Sequence, residues 1–488
     1  MILTPTTYTF GVSILEIKSV NGYSLFLLHI MDKQNVTRRN FIGKTAVGLA
    51  GLTVSSSALS MNAASYKRII GSNDRIHIGF LGCGARSRGH QSMVNTSAKD
   101  KNLGVVAVCD IWKNNKEKAA ANCKKLFGAD VKQFKYSEEM LNMPELDAVM
   151  IGTGDFQHAK LLAEVVKAGK DCYCEKPMAI DVENAKLARS AVLDSAQVVQ
   201  LGSQWVSDPI QLKVREIVRS GKLGQITKIE QVWNDNDHRW HVPDDPDVAA
   251  IREEDTDWNR WLLGKPYVPF DPWKYFEFRI FRDYSGGITS QWMSHASGLI
   301  HFYTDTAIPD SMVANGGIFG WPDIRQNPDT FQALATYDDA KFMHSYTSNY
   351  ANKFGDYTCI RGKEGTLFAH GGEGSSRWFF IPEHQQLLGG FDFYEGMKEA
   401  VKSGKAEIIT TEEYGMKLGP VNVSDNSKYH LDNWVDCMRN RSKVPNGNIH
   451  TGFWHSVASI MATKAYREGK KLYWDRTKEE IVDHPVIV

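Results

Sequence analysis

From Arg75 onward, short apolar runs alternate with segments of helical period. Arg75-Ile-His-Ile-Gly-Phe-Leu81, Gly104-Val-Val-Ala-Val-Cys109 and Asp147-Ala-Val-Met-Ile-Gly152 have strand length and are apolar almost throughout. Runs of that kind predict strands buried on both faces. Ala159, Leu162, Ala163 and Val166 then fall on one helical face, which ends at Gly169. Asp171-Cys-Tyr-Cys-Glu-Lys-Pro177 predicts the next strand and its end, Val182–Leu193 a helix, and Gln197–Leu201 another short strand. Strands and helices in this alternation predict a parallel, doubly wound sheet. After about residue 200 the period falls to two. Ile226–Trp233, Lys341–Ser348, Tyr357–Gly362 and Arg377–Ile381 alternate like half-buried strands of a second, largely antiparallel sheet. Two amphipathic helices close the chain, one on Leu431, Trp434, Val435 and Met438, the other on Val457, Ile460, Met461 and Ala465.

Composition adds limits. The chain has 488 residues and a formal net charge of zero, which suits two or three globular domains and gives no global bias toward nucleic acid or membranes. No apolar run reaches the length of a bilayer span. Seven cysteines are scattered, and Cys172 and Cys174 share one face of a strand, which predicts core packing and no disulfide framework. Upstream, Thr37-Arg-Arg-Asn-Phe-Ile-Gly-Lys44 precedes a modestly apolar Ala46–Val54 and a small-residue stretch Ser55–Ser65. This resembles a twin-arginine export signal, with Met31 just ahead of it. Residues 1–65 are therefore expected to be an upstream extension and signal segment, cleaved near Ala58–Ala64, and the mature protein to be periplasmic with no membrane association after export.

The first strand ends in Gly82-Cys-Gly84-Ala85-Arg86, and the second ends in Asp110. Glycine at 82 permits a tight turn, and glycine at 84 lets a pyrophosphate approach the following helix N-terminus. An acid at the end of the second strand accepts hydrogen bonds from an adenosine ribose and repels a 2′-phosphate. Asp110 thus points to NAD, with NADP less favoured. Ser87 stands where the usual third glycine falls, and the next glycine is Gly89.

Four stretches together resemble the Gfo/Idh/MocA family, the glucose–fructose oxidoreductase and inositol dehydrogenase group. They are Gly82-Cys-Gly84 with Asp110, Thr153-Gly-Asp-Phe-Gln-His158, Glu175-Lys176-Pro177, and Tyr284-Ser-Gly-Gly287 through Trp292 to His295. The resemblance implies an α/β chain with an NAD-binding Rossmann domain over 70–200 and a substrate-binding α+β domain with an open, largely antiparallel sheet over 201–488. It also implies a carbohydrate substrate and hydroxyl–ketone interconversion by hydride transfer. On that basis Lys176 and His295 are the catalytic candidates. Lys176 ends a strand where open parallel sheets bind ligands, and a desolvated ammonium there has its pKa lowered toward the working range. Gly82, Gly84, Ala85, Arg86, Asp110, Thr153, His158 and Glu175 are the cofactor candidates; Lys176, Gln291, Trp292, His295, Trp205 and Trp240 are the substrate candidates. Glu175 is expected to orient the loop rather than move protons.

One departure bears on mechanism. The family pattern places an acid where this chain has Gln291, and another where it has Gly298. A carboxamide hydrogen-bonds a sugar but does not take its proton under mild conditions. His295, or Asp283 and Tyr284 upstream, would then assume the proton role. Asn234-Asp-Asn-Asp-His-Arg-Trp-His-Val-Pro243 matches no common metal spacing and reads as a polar loop over the sugar pocket, so no metal is expected. The leading expectation is a periplasmic NAD-dependent sugar oxidoreductase, homo-oligomeric, whose tightly bound cofactor is recycled internally and which meets the twin-arginine translocation machinery. The alternatives are an NAD-dependent glycosidase working by oxidation, elimination and reduction, and a non-catalytic sugar-binding protein.

Overall fold

In the computed structural model, the described residues are 75–240, 248, 250–371, 378–383, 399–409 and 423–486, together with three strands upstream. Those strands, Thr7–Tyr8, Val12–Lys18 and Ser24–Ile30, pair as an antiparallel sheet of their own. The twin-arginine-like stretch, its expected cleavage region and residues 241–243 of the polar loop lie outside the described residues.

The first sheet of the main body is β1 (Ile76–Leu81), β2 (Leu103–Cys109), β3 (Lys132–Phe134), β4 (Ala148–Ile151), β5 (Asp171–Cys174) and β6 (Val199–Leu201). All its pairings are parallel, in the order β3-β2-β1-β4-β5-β6. The order reverses between β1 and β4, and a crevice opens at such a switch point beyond the strand C-termini. Alternate residues separate cleanly to the two faces. Leu81, Cys109, Ile151, Cys172 and Cys174 enter one buried cluster, and Ile78, Phe80, Val108, Met150 and Tyr173 enter another. Helices cover both faces, which is why these strands read as continuous apolar runs. The principal ones here are α1 (Ala85–Ser97), α2 (Lys113–Phe127), α3 (His158–Lys167) and α4 (Val182–Leu193). All seven cysteines are buried free thiols.

The second sheet has ten strands, of which β7 (Ile226–Asn234), β8 (Ser311–Gly317), β9 (Thr330–Tyr337), β10 (Phe342–Asn349), β11 (Tyr357–Gly362) and β12 (Gly365–His370) form the middle. Every pairing is antiparallel except β7 with β10. The four strands predicted from alternation are present to within a residue at their ends, the last as Trp378–Pro382. Strands such as Ser311–Gly317, with two glycines and no clean alternation, were not predicted.

Two late helices tie the layers together. α5 (Val423–Arg439) turns Leu431, Trp434, Val435 and Met438 into the Rossmann-side cluster with Phe80, Met150 and Tyr173. Burial of each such side chain contributes about 2 kcal/mol. The helix therefore packs on the first sheet although it follows the second in sequence. Trp434 Nε1 donates to the Val198 carbonyl at 3.1 Å, and Ser97 Oγ donates to Asp432 at 2.6 Å. α6 (Ile449–Glu468) packs against α4 and β8 and is buried nearly all round, with Val457, Met461 and Ala465 inside and Ile460 only partly covered. Among the described residues no helix is long and apolar enough to cross a membrane.

Asp171 at the start of β5 is fully buried; Arg441 reaches it with two guanidinium nitrogens at 3.0 and 2.6 Å, and the Val198 amide donates to it at 2.7 Å. Removing one partner of a buried pair leaves an uncompensated charge. Arg441→Ala is expected to lower unfolding free energy by about 3 kcal/mol, measured by urea denaturation, whereas Arg361→Ala on an exposed pair should cost under about 1 kcal/mol.

Candidate active site

The site is built first at the end of β1. Gly82 has φ +81°, and a Cβ there would lie 2.6 Å from Thr153 Cγ2 and 2.9 Å from its backbone nitrogen. The turn thus needs glycine for both conformation and the close approach of the β4 loop. Gly84 precedes α1, and a Cβ there would meet nothing within 4 Å. α1 has no side-chain cap and no acid in its first turn. By contrast Asp181, Asp208, Asp257, Asp271 and Asn448 each cap their helices with a side-chain oxygen. An uncapped N-terminus beside an open glycine suits an anion such as a pyrophosphate. Ser87, at the usual third-glycine position, is fully buried, so a small residue meets the packing demand there.

Asp110 closes β2 and is buried, accepting from the Cys83 amide at 2.7 Å and the Trp112 amide at 2.8 Å. Its carboxylate holds the glycine turn as well as lining the cleft. That cleft, about 570 Å³, is bounded by Gly82, Gly84, Ala85, Arg86, Asp110 and Thr153 on one side and by Arg239, Trp240, Phe278 and Arg279 on the other. The donors and shape fit a dinucleotide: an anion-binding helix terminus, a glycine-walled turn and an acid at the second strand end.

Glu175 follows β5 and is buried. Its Oε1 accepts from Arg86 Nε at 2.7 Å, His90 Nε2 at 2.9 Å and Gln204 Nε2 at 3.1 Å. Burial alone would raise its pKa; the Arg86 charge and the His90 hydrogen bond bring it well below the usual carboxylate range. Glu175 therefore clamps α1 to the β5 loop. Arg86, expected on the cofactor, spends its guanidinium on this clamp while still lining the cleft.

Lys176 comes next in sequence, joined to Pro177 by a cis peptide bond. Its Nζ donates to the Gln291 carbonyl at 2.7 Å and to Gln291 Oε1 at 3.3 Å. Burial lowers its pKa to about 8. Gln291 lies in a π-helical turn, Thr289–Met293, that leads into the helix Ser294–Thr304; such turns recur at functional sites. Gln291 Nε2 in turn donates to Asp155 Oδ2 at 2.6 Å, which also accepts from Ser285 Oγ at 2.6 Å. His295 packs its ring 4.8 Å from Trp205 and senses the Lys176 charge, and burial holds it well below the usual imidazole pKa, hence neutral.

Other candidates have different surroundings from those expected. His158 is buried at the start of α3, with Nδ1 2.7 Å from the Pro177 carbonyl and Nε2 3.2 Å from the Thr153 carbonyl. It pins two loops together and does not line the cleft. Trp292 is buried and stacked on Trp233 at 4.6 Å, so it backs the site. Trp240 stands over the cofactor cleft, edge-on to Tyr350. Tyr284 is buried among Phe156 and Trp261, and Asp283 is exposed. His238 meets Asp323 at 2.6 Å and stacks on Trp321. No group of three possible metal ligands occurs among the described residues. Asp155, His90, Gln204 and Trp233 were missed. Asp155 lay inside a motif already singled out, but nothing in the spacing pairs it with residue 291.

The fold and cleft define a Rossmann-type parallel sheet with a dinucleotide-shaped cleft, beside a second, mostly antiparallel sheet. Residues 76–203 match the model of the GFO_IDH_MocA oxidoreductase family, NAD-binding Rossmann fold. Over 194 residues the chain is 27% identical to inositol 2-dehydrogenase 2 of Saccharopolyspora erythraea, covering 40% of this chain and 55% of that protein. Over 203 residues it is 27% identical to inositol 2-dehydrogenase of Rhizobium meliloti, covering 40% and 56%. The chain thus spans about half the length of the curated relatives it matches. The fold is similar to that of levoglucosan dehydrogenase in complex with NADH, with a TM-score of 0.60, 14% identity, 85% of this chain covered and 100% of that one.

With Asp110 at the cleft wall, NAD should bind at least tenfold tighter than NADP, about 1.4 kcal/mol. Asp110→Ala should narrow that gap and weaken NAD as the glycine turn loosens. Titration of both dinucleotides by calorimetry is the check, and equal affinities in the unaltered protein contradict the assignment.

Proposed function

We propose that the protein is an NAD-dependent oxidoreductase that interconverts a hydroxyl and a ketone on a sugar or sugar derivative. The observation that carries this reading is Lys176: an amine with a pKa of about 8, held by two oxygens of Gln291 just past β5. NAD, when bound, supplies the acceptor for a hydride leaving the carbinol carbon. Lys176 in its neutral form takes the hydroxyl proton as the C–O bond gains double-bond character, and as ammonium returns it in the reverse direction. Glu175 keeps the lysine's loop and α1 in register, so proton acceptor and cofactor cleft stay fixed to one another. The neutral imidazole of His295 is placed to hydrogen-bond the same oxygen or its neighbour, with Trp205 beside it as an apolar wall for sugar C–H groups.

The relatives named for inositol and levoglucosan support a polyol or sugar substrate, and the twin-arginine-like stretch Thr37–Lys44 supports export to the periplasm. In a compartment without a free NAD pool, the cofactor would stay bound and pass its hydride back within the cycle. Retention through purification corresponds to about 12 kcal/mol at nanomolar affinity.

Three measurements test the proposal. In oxidation of a sugar panel that includes inositols and levoglucosan, kcat/KM should rise about tenfold per pH unit below pH 8 and level off above it, because only the neutral amine accepts the proton. Lys176→Ala should abolish turnover while NAD still binds. Extensive desalting of the exported form should leave stoichiometric nucleotide and activity without added NAD. A protein that emerges empty and releases NADH at every turnover contradicts internal recycling, and release of a free aglycone from glycosides would instead favour hydrolysis.

A further inference from the structure

We infer that Asp155 is a positioning residue for the proton acceptor, acting through Gln291: it orients the Gln291 amide so that two oxygens face Lys176 and one direction of Nζ is left for substrate. The inference rests on the reading of Lys176 as the proton acceptor.

The geometry is specific. Asp155 is buried, and its Oδ2 takes hydrogen bonds from Ser285 Oγ and Gln291 Nε2, both at 2.6 Å. A carboxylate only accepts, so the nitrogen end of the Gln291 amide must face Asp155. Oε1 is then turned to Lys176 Nζ at 3.3 Å, beside the Gln291 carbonyl at 2.7 Å. A neutral amine has two N–H bonds and one lone pair. With both N–H bonds directed at the two Gln291 oxygens, the lone pair is what remains to receive the hydroxyl proton. When that proton arrives, the third N–H of the ammonium points the same way and can return it, so the two Gln291 contacts need not break. Without Asp155 the amide is free to rotate and present its nitrogen to the lysine, which removes an acceptor and blocks this arrangement.

The residue also joins the two halves of the site. Asp155 lies in the turn after β4, and Ser285 and Gln291 belong to the second-sheet domain. The groups that set the charge around Lys176 are Glu175 and Asp155, which favour the ammonium, Arg279 and Arg86, which oppose it, and His295 and His455, both held neutral by burial. Glu175 is already committed to Arg86 and His90. Asp155 is therefore the carboxylate whose removal changes the lysine without dismantling the α1 clamp.

The test reads Lys176 directly and needs no substrate. The full-length protein is treated with acetic anhydride across pH 6–11, and acetylation of the Lys176 peptide is followed by mass spectrometry. In Asp155→Asn the midpoint should fall by about one pH unit, and in Asp155→Asn/Gln291→Asp, with the carboxylate moved to the lysine's own neighbour, it should rise again. NAD titration reports that each variant is folded. If Asp155→Asn does not fold, Gln291→Met breaks the same link while leaving the Ser285 contact, and the midpoint should again fall. An unchanged midpoint in a folded variant overturns the inference, as does a fall that the double variant fails to reverse. Should no sugar be turned over, the dehydrogenase reading fails, while a shifted midpoint would still uphold the Asp155–Gln291–Lys176 linkage.

Discussion

A buried carboxylate, Glu175, is the interaction on which the site depends. Its Oε1 gathers Arg86 and His90 from the glycine-turn helix and Gln204 from the segment that leaves the first sheet. An unpaired ion in that position would cost several kcal/mol, and loss of one partner of such a group typically costs 3–5 kcal/mol. The packing leaves no room for relaxation: a Cβ on Gly202 would lie 2.6 Å from Glu175 Oε2. One charge thus sets the angle of α1, the exit of β5 and the start of the second domain. Lys176 is the next residue along, and it inherits its position from that constraint.

The second domain reaches the cleft through a π turn rather than a regular helix start. Gly287, at φ +64° with Asn327 Cβ 2.7 Å from where its own Cβ would be, lets the chain bend into Thr289–Met293. The result places the Gln291 carbonyl, which a regular helix would commit to its own ladder, on Lys176 Nζ. A short backbone irregularity thereby adds a main-chain acceptor to the lysine beside the Gln291 side-chain oxygen. Trp292 of that turn stacks on Trp233, which in turn meets Trp205.

Where the related pattern has an acid, this chain has a neutral amide, yet the site is not short of negative charge. Asp155 supplies it from the opposite domain, one residue removed from the lysine. The difference is physical and not only formal. A carboxylate in direct contact would favour the ammonium strongly, whereas an amide held by a carboxylate gives the lysine oxygen acceptors and a weaker field. Burial then keeps the pKa near 8 rather than at the value of a free lysine.

The alternation of apolar runs and helical segments determined five of the six parallel strands, because strands buried on both faces and amphipathic helices leave period and composition as local signatures; Lys132–Phe134, short and largely exposed, leaves none. The glycine turn and Asp110 were legible because a dinucleotide turn needs particular residues at fixed short spacing, whereas Glu175-Lys176-Pro177 stood out through its resemblance to a family motif. Four strands of the second sheet could be read from Ile226–Trp233 and its counterparts, but Ser311–Gly317 could not, since glycines and polar residues hide its alternation. The apolar face of Val423–Arg439 was plain, whereas its docking on Phe80 and Tyr173 of the first sheet was decided only by the tertiary structure. So was the burial of His158 on two loop carbonyls, and so was the pairing of Asp155 with Gln291 across 136 positions. Sequence records which residues want to be buried or to turn the chain; which distant group meets a buried polar atom depends on how whole layers pack, and no local pattern encodes it.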